Sequence, residues 1–325
     1  MTPAKRNLIV AVVLLAATCV GVAATSYHDI AIRLAPRKRA ATARSTAALA
    51  ADSLFWHTFP SGDYDGISRA AEALTAAYLA TPTDPVTAAH LAWLHNWRMA
   101  ERARRDSVPA TITDDIILSR RYFEEAVALD PSDPRTLGFL GGHLLAEGNL
   151  HHDERLTRRG YFTLLDAIDA WPEFNLFTAG YVMSRLPSDS PRFRQAVEWQ
   201  WQNLDKCVGT RIDRANPDYA RYMSLETRTG VKRVCWNSWI APHNLEGFFL
   251  NMGDMLVKSG DWRTGVRLYE NARLTGEYAA WKFRPVLEDR IAHARENVAR
   301  FNAKGPDRDG LMINSAFSCM ACHQE

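Results

Sequence analysis

The sequence predicts an all-α fold, and three observations carry that prediction. From about Ser53 onward, apolar residues recur at helical spacing almost without interruption. Ile and Val are scarce beside Ala and Leu, and no run alternates apolar with polar residues as a half-buried strand requires. The helical stretches are separated by short turns built from Pro and Asp, which end one helix and begin the next. At 325 residues and 47% apolar content, the chain is long enough for one large or two ordinary domains with an ample core.

The elements follow in order. In residues 1–24, Lys5 and Arg6 precede an apolar run from Leu8 to Ala24, a basic segment followed by a hydrophobic one. Small residues Val22-Ala23-Ala24 offer a cleavage point, and the run lies at the short end of what spans a bilayer. It reads either as a cleaved signal peptide or as an uncleaved membrane anchor. Arg33, Arg37, Lys38, Arg39 and Arg44 follow it, a cluster that taken alone favours retention inside. Residues 25–52 are rich in Ala and Arg and read as a tether. The helical domain is expected over residues 53–303. Its first helix runs from Ile67 to Leu79. Asp84 then caps the next helix, with Pro85 in its first turn. Asp130-Pro131-Ser132-Asp133-Pro134 repeats the device after a helix carrying Tyr122, Phe123, Ala126, Val127 and Leu129, and Ala170-Trp171-Pro172 punctuates a third.

A further helix pair begins near Pro242. In it Gly253, Gly260, Trp262, Gly265, Tyr269 and Ala272 carry the small–turn–aromatic–small–aromatic–alanine order of a repeat unit. Small residues let paired helices approach, and aromatics fill the gap to the next pair. This segment resembles a tetratricopeptide repeat. The resemblance is specific over residues 250–272 and generic elsewhere in 55–300, and Gly62-Asp63-Tyr64 echoes it weakly. The turn prolines Pro82, Pro131 and Pro172 fall at uneven intervals, longer than the roughly 34 residues of that family. The resemblance therefore implies an irregular α-solenoid of tetratricopeptide-like helix pairs with a concave face, with an irregular helical bundle as the alternative.

Cys207 and Cys235 enclose a stretch poor in helix signals, with Gly209, Asn216-Pro217 and Gly230. A disulfide between them suits an oxidising compartment and a segment that needs a staple. Residues 304–325 form a tail. Lys304-Gly305-Pro306 breaks the last helix, and the tail ends in Cys319-Met320-Ala321-Cys322-His323. C-x-x-C-H is the attachment pattern of a c-type haem. Two thiols three residues apart reach the two vinyl groups of one porphyrin, and the adjacent imidazole binds iron from below. The pattern therefore predicts one covalent haem c, with thioethers at Cys319 and Cys322 and His323 as proximal iron ligand. So short a tail cannot cover a macrocycle, so the helical body or a partner must wall it. A second axial ligand is expected from upstream. Met312 lies nearest in sequence, and His243 sits in the aromatic-rich Cys235–Asn244 segment. His90, His95, His143, His151 and His152 read as surface or satisfied core histidines, while Asp114-Asp115 and Glu124-Glu125 read as solvated helix faces. The terminal placement of the motif also resembles class II cytochromes of the c′ type, whose five-coordinate iron implies an open axial site.

Seven of the 39 basic residues but only one of the 37 acidic ones fall in residues 1–44, so the remainder is mildly acidic, which argues against a nucleic-acid footprint. No Gly-rich phosphate loop and no G-x-S-x-G elbow occurs. The expectation is thus an extracytoplasmic (periplasmic) chain, anchored to the inner membrane by its N-terminal segment or secreted if that segment is cleaved. It would be an electron carrier rather than an enzyme, passing electrons to a redox protein partner or membrane complex. Alternatives from other classes are a helical scaffold with a sensory or structural haem, and a high-spin peroxidase or gas-binding protein.

Overall fold

The computed structural model describes residues 27–303 and 320–324, together with Lys5 and Val12. Apart from Val12, the apolar run expected to be a signal or anchor lies outside the described residues, as do Met312 and Cys319. No described helix is long and apolar enough to cross a membrane. Residues 1–39 and Ala40–Glu325 are separate compact units. In the first, residues 27–34 are helical.

The second unit is all-helical, with no strand among the described residues. Its helices are α1 Thr46–Thr58, α2 Ile67–Ala80, α3 Pro85–Ala100, α4 Asp114–Leu129, α5 Pro134–His151 and α6 Glu154–Ala170. They continue as α7 Pro172–Met183, α8 Pro191–Val208, α9 Asn244–Ser259, α10 Trp262–Glu270, α11 Arg284–Ala292, α12 Ala294–Asn302 and α13 Met320–His323. The helical body begins earlier than the predicted boundary at 53. Ser45 caps α1 through the amide of Ala48 at 3.1 Å, and Ala48 and Ala51 are already buried. Alanine carries little hydrophobic contrast, so an Ala-rich first turn reads as tether until its neighbours are known.

Pro–Asp punctuation sets the helix starts. Asp84 Oδ1 accepts from the amide of Val86 at 3.0 Å, and Asp133 Oδ1 from that of Arg135 at 2.9 Å, each with Pro in the first turn. Asp153 caps α6 in the same way, Ser190 caps α8 and Asp261 caps α10. Consecutive helices pack most heavily in pairs: α1 with α2, α3 with α4, α5 with α6, α7 with α8 and α9 with α10. At the α9–α10 pair, a Cβ on Gly253 would meet the Tyr269 ring at 2.2 Å and one on Gly265 would meet Val257 at 2.9 Å. The small residues at 253 and 265 are thus what let these helices close.

Asp115 and Glu124 differ from the expected solvated faces. Asp115 is buried beneath His95 (2.7 Å) and Arg98 (3.4 Å), while Glu124 pairs with Arg120 and Arg159. Cations on neighbouring turns and helices gather these carboxylates, and pattern along one helix does not reveal such partners. The Cys207 and Cys235 sulfurs stand at bonding distance, 2.03 Å, tying the end of α8 to the loop before α9.

Helix α9 is buried at nearly every position from Leu245 to Lys258, which makes it the central element of the C-terminal half. Lys258 Nζ donates to the carbonyls of Ser184 (2.9 Å) and Leu186 (2.7 Å), spending its charge on the end of α7. Deeper in α9, Asp254 accepts from Tyr269 Oη at 2.5 Å and faces Arg290 Nε at 3.3 Å. Burial raises the Asp254 carboxyl from 3.8 to about 7, even though Arg290 and Tyr269 pull it down. The folded state then binds a proton that the unfolded chain has released. This contribution to stability is complete below about pH 4 and is lost as pH rises towards 7, at up to about 1.4 kcal/mol per pH unit. Asp254→Asn should remove that slope. In urea titrations, the difference in unfolding free energy between parent and variant should change from pH 4 to 7 and level off above. A difference independent of pH would contradict the assignment.

Candidate functional site

The tail residues of α13 are clasped between the two halves of the helical body. Met320 is fully buried with Phe55, Phe59 and Trp97 in the core formed by α1–α3, whereas Ala321 belongs to the core around α9. Four polar contacts fix the tail. The amide of His243 donates to the Cys322 carbonyl at 3.0 Å, and Trp281 Nε1 donates to the Ala321 carbonyl at 2.8 Å. Gln324 Nε2 donates to the Ser61 carbonyl at 3.3 Å, and the amide of Gln324 closes the helical turn on Met320 at 3.0 Å. Two glycines make room. A Cβ on Gly247 would lie 2.3 Å from Cys322 Sγ and 3.0 Å from the Ala321 carbonyl carbon. Gly62, at φ +67°, sits where a side chain would strike the Gln324 amide. Sequence reasoning did not single out Gly247; an isolated glycine inside an apolar helical pattern was the available signal.

Cys322 and His323 both line a cavity of about 1420 Å³ in the helical body. That exceeds the roughly 300–1,000 Å³ of a typical small-molecule pocket. Near His323 its walls are Trp56 and Phe59 of α1, Trp93 of α3, and Trp239. The Phe59 ring lies 5.7 Å from that of His323, and Trp56 meets Trp239 edge-on at 5.1 Å. His323 Nδ1 lies 2.7 Å from the carbonyl of Ile240. A carbonyl only accepts, so Nδ1 carries the proton, and the neutral ring keeps its lone pair on Nε2. Burial lowers the His323 pKa, against the opposing bond to Ile240, and so favours this neutral form.

The expected ligands fall in different places. Met312 and Cys319 lie outside the described residues. His243 is not among the residues that line the cavity. Its amide holds Cys322, its Nδ1 faces Glu246 Oε1 at 3.4 Å, and its ring faces Trp281 at 6.3 Å. Glu246 is fully buried and also accepts from Asn237 (2.9 Å) and Thr275 (2.6 Å), which fixes His243 as part of the tail's mount. His95 is engaged by Asp115.

Two other histidines line the cavity, His90 and His143. His143 is buried, with Nδ1 at 2.7 Å from the Phe139 carbonyl and no partner for Nε2. Burial lowers its pKa to about 4, so it is neutral near pH 7. His90 Nδ1 contacts Asp52 Oδ1, and its ring stacks on Phe55 at 4.0 Å. Among the described residues, no cluster of three or more His, Cys, Asp or Glu converges as a self-contained metal site would require. The site is therefore a large aromatic cavity with one thiol and three imidazoles on its wall. Compared with known proteins, the chain matches no family model, no curated sequence and no solved structure.

Proposed function

We propose that this chain is an exported monohaem c-type cytochrome, with an irregular, tetratricopeptide-like α-solenoid as its body and one haem carried on the tail. The observation that carries the reading is the placement of His323. Its Nδ1 proton is pinned by a backbone carbonyl, and Nε2 is left as a lone pair at an aromatic cavity beside Cys322. A proximal iron ligand needs that arrangement, because the hydrogen bond on the far nitrogen fixes both tautomer and ring orientation. The surroundings fit the group in three further respects. Cys322 lines the same cavity, Trp56, Phe59, Trp93 and Trp239 supply flat apolar walls, and the volume exceeds what a single small ligand fills. Bound through thioethers to Cys319 and Cys322, haem supplies an iron that gains and loses one electron at a time. The protein's part is to hold His323, exclude water with the Trp and Phe walls, and present the cavity mouth to a redox partner. Trp239, 71% exposed, stands at that mouth. The solenoid reading draws on the sequential helix pairs and on the Gly253–Tyr269 and Gly265–Val257 approaches. The segment 1–24 serves as signal or inner-membrane anchor, which places the body outside the cytoplasm, where thioether attachment occurs.

The test is intact-mass analysis and a pyridine haemochrome spectrum of the full chain, made in a host that matures c-type cytochromes. The expected result is the mass of the polypeptide plus one haem, lost in the Cys319→Ser/Cys322→Ser variant. Bare polypeptide, from cells that load a control cytochrome, would overturn the proposal.

A further inference from the structure

We infer that His90, oriented by Asp52, faces His323 across the bound haem and fills the second axial position of its iron. This rests on the reading above and extends it to residues far from the motif. Three histidines line the cavity, and two of them share one aromatic face. Phe55 and Phe59 sit one turn apart on α1 and stack at 5.5 Å. His90 stacks on Phe55 at 4.0 Å with ring planes 6° apart, and His323 packs on Phe59 at 5.7 Å. The circuit closes on the other side. Trp56 meets His90 edge-on at 5.4 Å and Trp239 at 5.1 Å, and Trp239 precedes Ile240, whose carbonyl holds His323. The two imidazoles are thus joined through one cluster of aromatic side chains, and both line the cavity.

The chemistry of His90 matches the position. Asp52 Oδ1 contacts Nδ1, and a carboxylate accepts only, so the proton belongs on Nδ1 and the lone pair on Nε2. The support is rigid: Arg44 bonds Asp52 at 2.8 Å and Asp84, the cap of the helix that carries His90, at 2.9 Å. A carboxylate behind an imidazole fixes its orientation and makes it a stronger donor. Asp52 is a positioning residue. His143, the third cavity imidazole, packs instead on Phe123 at 4.7 Å and meets Trp93 edge-on at 6.4 Å.

The test uses the full haem-loaded chain. The wild type is expected to be low-spin in both oxidation states. His90→Ala should convert it to a high-spin form whose ferrous state binds carbon monoxide, and added imidazole should restore the low-spin spectrum. His90→Gln, which keeps the volume should the smaller variant fail to fold, carries the same expectation. His143→Ala should leave the spectrum unchanged. Asp52→Asn should stay low-spin but show a raised midpoint potential, a shift that a merely structural role would not produce. A high-spin wild type, an unchanged low-spin spectrum in both His90 variants, or a loss seen only in His143→Ala would overturn the inference while the cytochrome reading stands. A wild type without covalent haem would sink both.

Discussion

Gly160→Ala lowers the unfolding free energy by about 2–3 kcal/mol, although alanine is the better helix former by about 0.5–1 kcal/mol. The sign is decided by what surrounds the new methyl group. A Cβ on Gly160 would lie 2.7 Å from the backbone nitrogen of Leu145 and 2.8 Å from the carbonyl oxygen of Gly141. These are backbone atoms, so no rotamer change relieves the clash, and α5 and α6 must separate along a heavily packed seam. The facing position is just as tight, since a Cβ on Gly141 would meet the Leu164 nitrogen at 2.9 Å. Parting the helices also shifts Gly142 and His143, which line the cavity from α5. Urea denaturation followed by circular dichroism measures the loss. Gly276→Ala, where an added Cβ meets nothing within 4 Å, is the control and should change stability by no more than about 0.5–1 kcal/mol. Equal or greater stability in Gly160→Ala would show that the seam parts freely and that the close approach is not a constraint.

What was legible in the sequence was local. Asp84-Pro85 and Asp133-Pro134 announced their helices because a cap and its proline act within four residues. Gly253 and Gly265 could be read because their partners, Tyr269 and Val257, lie one helix away. The α5–α6 glycine seam obeys the same logic, but Gly141 and Gly148 pack against a helix with no aromatic repeat to flag it. The candidate site divides along the same line. Cys322 and His323 are named by a five-residue pattern. The groups around them are not, because Phe59, Ser61 and Trp281 meet the tail only after the chain returns across some 40 to 260 residues. His90 gave no signal at all, since its partner Asp52 lies on a helix whose Ala-rich start read as tether. The backbone amide of His243 holds the tail, a contact that no pattern of side chains announces.

The Cys207→Ser/Cys235→Ser variant should lose about 3.5 kcal/mol, and the parent protein should lose the same on full reduction. The bond closes a loop with a sequence separation of 28, and restricting an unfolded chain by that much contributes about 3.5 kcal/mol on loop-entropy grounds. Two features make the full amount available. The closed loop holds only short 3-10 turns, at Ala220–Leu225 and Val231–Cys235, so it has little helical structure of its own to hold it. Its anchoring side chains are nevertheless buried: Ile212, Tyr219 and Trp236 pack in the same core as α9. That core carries the His243 contact that seats Cys322, so loosening the loop should also release the tail. Guanidinium titration with and without reductant measures the first effect. Protease cutting near Met320 in the folded variant measures the second. A variant as stable as the parent would mean that the loop is ordered by its packing alone. A destabilised variant with a fully protected tail would uncouple the loop from the site.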